Sequence, residues 1–289
     1  MPMPLNQRVR LAGHLGLRGP ERPLFRHSAR SIDPLDQLER LADLGFAGVQ
    51  DNFLKLRPPA EQARMGRRMA DLGLDLGCFA NDPAEWNLPL WSGEDAAAAA
   101  MLRRNVESSI AAAARVGGGD AVCVTGYDPS RSRSVQIAAM IDNLRRFAEP
   151  ARKGGLRLLV EPVADLWVPG LLVNNLADAT AMVRAVDSPS VRLLFDVAHV
   201  RMTGEEIVPA LAGCWDIVGG IQAADVPDRT DLGTGELDWP AILGWIADRG
   251  YAGLVEIEHE PAEDSMEGET RLVERLRRID AMMHGAAAR

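Results

Sequence analysis

Leu38-Glu-Arg-Leu-Ala-Asp-Leu-Gly45 runs directly into Phe46-Ala-Gly-Val49. The first part places leucines at helical spacing, a glycine stops the helix, and a short apolar strand follows. Glycine ends a helix in a left-handed turn without a Cβ penalty, so the helix can feed a strand with no linker between them. The unit recurs. Arg68-Met-Ala-Asp-Leu-Gly73 leads to Leu74-Asp-Leu-Gly-Cys-Phe79, Ala113-Ala-Arg-Val-Gly117 to Ala121-Val-Cys-Val124, Ala151-Arg-Lys-Gly-Gly155 to Leu156-Arg-Leu-Leu-Val160, and Ile246-Ala-Asp-Arg-Gly250 to Gly253-Leu-Val-Glu-Ile257. Adding residues 9–15, 191–197 and 217–222 makes eight strands. Helical patterns occupy residues 34–44, 59–72, 97–116, 134–153, 177–186, 205–214 and 240–249, and a last helix covers 267–283. An α/β chain that alternates this strictly forms a parallel sheet, and eight units of about thirty residues close it into a (βα)8 TIM barrel. An open doubly wound sheet is the weaker choice, because no Gly-x-Gly-x-x-Gly follows the first strand. No linker interrupts the pattern, so a single domain is expected over residues 1–289.

The composition suits that architecture. The chain is 47% hydrophobic, enough for a large core. Its net charge is −9, the wrong sign for a nucleic-acid groove. No apolar run is long enough to span a bilayer and the N-terminus has no signal-peptide pattern, so a soluble, cytoplasmic protein is expected. Cys78, Cys123 and Cys214 lie far apart in apolar settings without a Cys-x-x-Cys pair, which reads as buried, reduced thiols.

Four strands end in polar groups. Glu161 follows Leu158-Leu-Val160, Asp196 follows Arg192-Leu-Leu-Phe195, Gln222 closes the run after Ile221, and Glu258 follows Leu254-Val-Glu-Ile257. Separations of 35, 26 and 36 residues, each about one βα unit, put them on four consecutive strands at the C-terminal edge, where barrels keep their chemistry. A lone carboxylate there often caps the next helix or pairs with an arginine. Three acids packed together repel unless a cation joins them. Three carboxylates and one amide oxygen are hard donors, suited to Mg²⁺ or Mn²⁺ with positions left for substrate oxygens.

The run from Val160 to Pro261 resembles the xylose isomerase-like TIM barrels, in particular their hydroxypyruvate isomerase branch. Its signatures are Val160-Glu-Pro162, Pro169-Gly170, Leu194-Phe-Asp-Val-Ala-His199, Ile221-Gln-Ala-Ala-Asp-Val-Pro227 with Arg229, Gly233-Thr-Gly-Glu236, and Glu258 three before Pro261. The resemblance implies a divalent metal held by Glu161, Asp196, Gln222 and Glu258, with Glu161 and Glu258 as the acid–base pair and His199 and Arg229 near the substrate. It implies an aldose–ketose isomerase acting on a small hydroxy-carbonyl acid or sugar through an enediolate. A ketose 3-epimerase, or a related dehydratase, with the same metal site is the alternative. Small molecules are the expected partners, with neither nucleic acid nor membrane, and a homo-oligomer is left open. Gly220, Thr230 and Arg201 stand where the branch commonly has His, His and Gln.

Other residues carry expectations of their own. Glu256 shares a strand face with Glu258 and lies deeper, as a supporting group or a substitute ligand. His259 is expected to turn outward to the surface, while His14 is placed equally at the pocket or at the edge of the core. Asp225 is expected to hydrogen-bond a ligand-bearing loop, and Glu236 to fix the loop before the helix at 240–249. One of Gln50, Asp51 and Asn52 is expected near the substrate. The irregular segment 81–93, with Trp86 and Trp91, reads equally as a pocket wall and as a packed surface loop. Arg131 and Arg133 read as members of solvated charge pairs.

Overall fold

The computed structural model describes residues 8–287, apart from the side chains of 284–287. Nine parallel strands run through these residues: β1 Arg10–His14, β2 Gly48–Gln50, β3 Asp75–Leu76, β4 Cys78–Ala80, β5 Gly119–Cys123, β6 Leu156–Val160, β7 Val191–Asp196, β8 Val218–Ala223 and β9 Leu254–Ile257. Their order across the sheet is β3-β2-β1-β9-β8-β7-β6-β5-β4. The two ends of that order, β3 and β4, are separated in the chain by Gly77 alone, so nine strands form the eight staves of a nearly closed barrel. The strand expected at 74–79 is therefore one stave broken in the middle.

The break has a local cause. Gly77 N–H donates to Val49 O at 2.8 Å, and Asp51 N–H donates to Cys78 O at 3.3 Å. Two residues thus stand against one step of β2, which is a bulge and turns the strand locally. Cys78 N–H donates instead to Glu256 Oε1 at 2.6 Å, across the barrel. A Cβ at Gly77 would lie 2.2 Å from that oxygen, so any larger residue would have to push the Glu256 carboxylate off Cys78.

The helices fill the gaps between staves much as the periodicity predicts. Pro34–Leu44 and Pro59–Leu72 match their expected bounds, and Gly45 (φ 88°) and Gly73 (φ 69°) stop them in the left-handed region. Ala96–Val116, Arg133–Lys153, Leu176–Val186, Ile207–Cys214 and Trp239–Asp248 differ from expectation by one or two residues at an end, and Met266–Ala287 runs further than expected at its C-terminus. A six-residue helix, Val197–Met202, is additional and springs directly from β7.

The main core lies between staves and helices. There Phe25 packs on Phe46 at 5.5 Å between ring centroids, and Trp91 stands edge-on to Phe147 at 6.3 Å. A smaller cluster of Cys78, Val122, Leu159 and Leu194 is buried separately. All three thiols are free and buried, as the sequence indicates. Among the described residues no helix is long and apolar enough to cross a membrane.

Candidate active site

The closing staves carry the polar ends to one rim. Register pairs Asp196 with Gln222, and Gln222 with Glu256. Glu258 N–H donates to Ala223 O at 3.0 Å, which holds the end of β9 against β8. Glu161, Gln222 and Glu258 line a cavity of about 560 Å³ together with His199 and Arg229. Asp196 sits behind them, fully buried.

Asp196 does three things at once. Oδ1 accepts His199 N–H at 2.9 Å and so caps helix Val197–Met202. Oδ2 accepts from Arg229 Nη1 at 2.8 Å. It also lies 4.0 Å from His199 Nε2, while Glu161 Oε1 is 3.8 Å from the same nitrogen. Glu161, Asp196 and His199 therefore offer donor atoms within 4.8 Å of one another, a spacing that could hold a metal ion. Arg229 spans the site: Nη2 donates to Glu258 Oε2 at 2.9 Å and to Glu258 O at 3.2 Å, and the guanidinium lies 5.7 Å from the Trp167 ring. Arg229 holds φ +50°, a strained region for a residue with a side chain.

Glu258 is further held by Gln50 Nε2 at 2.7 Å and Asn52 Nδ2 at 3.4 Å. From the trio ending the second strand, the structure thus brings Gln50 and Asn52 to the site, whereas Asp51 pairs with Arg57 at 2.6 Å. Gln222 donates Nε2 to Cys78 Sγ at 3.4 Å, and its Oε1 is buried with no hydrogen-bond donor among the described residues.

These contacts set the charges. Burial pushes the Glu161 carboxyl well above the ordinary range, and repulsion from Glu258 and Asp196 adds to it. Burial raises Glu258 as well, opposed by Arg229 and by the Gln50 and Asn52 hydrogen bonds. For Asp196 burial pushes upward, but Arg229 and His199 outweigh it and hold the carboxyl below its usual value. Burial lowers His199 to about 4, so its ring is neutral near pH 7.

Glu256 is not part of this group. Its two oxygens take Cys78 N–H and, at 2.6 Å, Cys78 Sγ–H, so it props the bulge rather than replacing Glu258. Burial pushes its carboxyl up to about 8, although the Cys78 bonds pull the other way. A folded-state value above the unfolded one means that its contribution to stability is full below about 4.5 and is lost as pH rises through about 8. In chelator, the thermal midpoint should fall between pH 6 and 9, and Glu256→Gln should flatten that slope. An unchanged slope would assign the pH dependence to other groups.

Several expectations need correction. His259 is not at the surface; it is buried, lines the cavity, and approaches Asp231 at 3.5 Å. β9 ends at Ile257, so strand parity no longer governs the next turn. Trp91 is core, its Nε1 donating to Asp82 at 2.9 Å, while Trp86 alone of the pair lines the cavity. His14 is buried, with Nε2 3.0 Å from His259 O, and supports that turn from beneath. Asp225 behaves as expected, accepting loop N–H groups. Glu236 is exposed and pairs with Arg201. Arg131 pairs with Glu94, and Arg133 with Asp178. Glu260, next to His259 in the chain, also lines the cavity.

The sequence profile of the family described as xylose isomerase-like TIM barrel matches residues 38–281. Hydroxypyruvate isomerase of Escherichia coli (strain K12) is 28% identical over 161 residues, which are 55% of this chain and 62% of that protein. The match thus spans less than two thirds of the E. coli protein. The 2-oxo-tetronate isomerase of Cupriavidus necator is 25% identical over 240 residues, covering 81% of this chain and 90% of that one. Among solved structures, the AP endonuclease, family 2, of Brucella melitensis superposes with a TM-score of 0.77 at 22% identity, over 92% of this chain and 98% of its own, a likeness of fold alone.

Proposed function

The chain belongs to the xylose isomerase-like TIM barrel family, and from that premise we propose that it is a divalent-cation-dependent isomerase of small hydroxy-carbonyl acids or sugars. The relatives named as isomerases support the reaction class. The observation that carries the reading is a charge imbalance. Three buried carboxylates, Glu161, Asp196 and Glu258, meet one guanidinium, Arg229, beside a neutral His199 and an amide oxygen of Gln222 that no donor among the described residues satisfies. Buried negative charge in excess of its partners is tolerated where a cation completes the set.

The donor chemistry fits Mg²⁺ or Mn²⁺. Glu161, Asp196, Gln222 and Glu258 would hold the ion, and His199 Nε2 faces the same cluster. When bound, such an ion supplies electrophilic polarisation of the substrate carbonyl, which acidifies the adjacent C–H.

The two glutamates divide the proton work according to their surroundings. Glu258 is bonded by Arg229, Gln50 and Asn52, all of which favour its ionised form, so it serves as the base. Glu161 lines the same cavity and has no hydrogen-bond donor on its carboxylate among the described residues, so a carboxylate oxygen is free to take up a proton and return it. Return to the neighbouring carbon of the enediolate interconverts aldose and ketose. His199 and Arg229, at the cavity wall, hold substrate oxygens.

The test is a substrate screen of hydroxypyruvate, 2-oxo-tetronate and common ketoses, with and without chelator, in deuterated water. We expect turnover only with Mg²⁺ or Mn²⁺ restored, and deuterium at the reacting carbon. Turnover indifferent to chelator would remove the cation from the proposal, and complete retention of substrate hydrogen would indicate hydride transfer in place of the two glutamates.

A further inference from the structure

An amide that serves as a cation ligand has an orientation problem that a carboxylate does not. The two branches of the Gln222 side chain have nearly the same shape, but only Oε1 can meet a cation, and the Nε2 group would repel one. The neighbours pull the wrong way. Glu161 and Glu258 line the cavity beside Gln222, and Asp196 stands opposite Gln222 in the register of β7 on β8. Before an ion arrives, three carboxylates attract N–H groups and favour the amide with Nε2 toward them. A partner on the far side has to hold it the other way round.

Cys78 supplies that partner. Gln222 Nε2 lies 3.4 Å from Cys78 Sγ, and Oε1 is left without a donor among the described residues. The sulfur stands at the start of β4, just past the Gly77 bulge, in an apolar layer with Val122, Leu159 and Leu194. No side chain of that layer competes for it.

The direction of the contact follows from what lies on the other side of the sulfur. Glu256 Oε1 accepts Cys78 N–H at 2.6 Å, and Oε2 lies 2.6 Å from Sγ. Burial keeps Cys78 a thiol, with one proton to give. With that proton on Glu256 Oε2, the sulfur offers Gln222 only lone pairs, which accept from Nε2 and repel Oε1. The result is one directed chain: the amide N–H donates to sulfur, and the S–H donates to the carboxylate. Hydrogen bonds linked in this way in apolar surroundings strengthen one another.

Granting the cation-dependent isomerase reading on which it rests, we propose that Cys78 and Glu256 are positioning residues that fix the Gln222 amide with Oε1 free for the cation. Neither lines the cavity of the reacting groups. The Glu256 carboxylate thus does two jobs with its two oxygens: one shapes the bulge, and the other sets the polarity of the chain that ends at Gln222.

The experiment titrates cation-stripped protein with Mg²⁺ by calorimetry. It is run near pH 9, above the Glu256 value of about 8, so that its carboxylate is the accepting form. Cys78→Ala should weaken Mg²⁺ binding by about 10–100-fold, the usual effect of removing a group that orients a ligand. Cys78→Ser keeps a proton for Glu256 and lone pairs for Gln222, and should recover most of the loss. Leu159→Ala, in the same apolar layer, should lower the thermal midpoint but leave Mg²⁺ binding unchanged. The S–H stretch in the infrared is the second readout. The Cys78 band, identified by its loss in Cys78→Ala, should lie below those of Cys123 and Cys214, whose thiols meet only backbone carbonyls. Glu256→Gln must keep its oxygen on Cys78 N–H and so sets an NH2 group against the sulfur. That variant should move the Cys78 band back toward the other two and weaken Mg²⁺ binding. Cation binding by Cys78→Ala as tight as by the wild type, equal weakening by Leu159→Ala, or a Cys78 band no lower than the others would each overturn the proposal and leave the isomerase reading standing. A wild type that binds neither Mg²⁺ nor Mn²⁺ would remove the cation, and both readings with it.

Discussion

Glu161→Gln is expected to lower kcat by about 10²–10⁴-fold, the usual contribution of a positioned acid–base group. The change is nearly isosteric, so the fold should survive it. It should also leave the cation-free protein at least as stable as the wild type near pH 7. The reason lies in the surroundings of Glu161. Its carboxylate accepts no hydrogen bond among the described residues, burial works against its charge, and Glu258 and Asp196 repel it. A neutral amide escapes all three penalties. Loss of turnover with an unchanged or raised thermal midpoint is therefore the expected pair of results. A variant that retains near-normal kcat removes Glu161 from proton transfer. One that loses activity and melts well below the wild type shows instead that the carboxylate is needed to hold the site together.

That asymmetry between the two glutamates was not legible in the sequence, although their presence was. The repeat length of a βα unit places Glu161, Asp196, Gln222 and Glu258 on successive staves, and the register of β7 on β8 delivers Asp196 beside Gln222. Local pattern also gives the helix bounds, because leucine spacing and terminal glycines act within one element. What local pattern cannot give is a contact across the barrel. Glu258 owes its hydrogen bonds to Gln50 and Asn52, more than two hundred residues away in the chain, and the Gly77 bulge owes its shape to Glu256, from the opposite side of the closure. His259 shows the same limit at shorter range. Alternation along β9 points it outward, but the strand stops at Ile257, and the following turn folds the ring inward beside Asp231. One signal for Glu260 does exist in the sequence: an acid two residues past a strand-end acid, followed by Pro261, fixes a turn at the rim.

Asp225→Ala is expected to have the largest effect on stability, although Asp225 touches neither glutamate. Its buried carboxylate organises the loop that carries Arg229. Oδ2 accepts from Gly233 N–H at 2.8 Å, Gly235 N–H at 3.0 Å and Trp239 Nε1–H at 3.0 Å, while Oδ1 accepts from Val226 N–H at 2.9 Å and Leu237 N–H at 3.3 Å. Five donors converge on one side chain, and removing it strands those that water cannot reach. Each buried donor left unpaired costs about 1–3 kcal/mol, and partial resolvation of the loop brings the expected total to roughly 3–5 kcal/mol. In a chain of this size that corresponds to a fall in thermal midpoint of roughly 5–15 °C. Activity should fall as well, because the same loop holds Arg229 at φ +50°. Such a conformation persists only where its surroundings over-determine it, and once the anchor is gone Arg229 relaxes and releases Asp196 and Glu258 together. Asp225→Asn separates the two effects. It keeps the volume but sets an NH2 group against N–H donors, so it should destabilise nearly as much as alanine, whereas a merely space-filling role for Asp225 would leave it close to wild type.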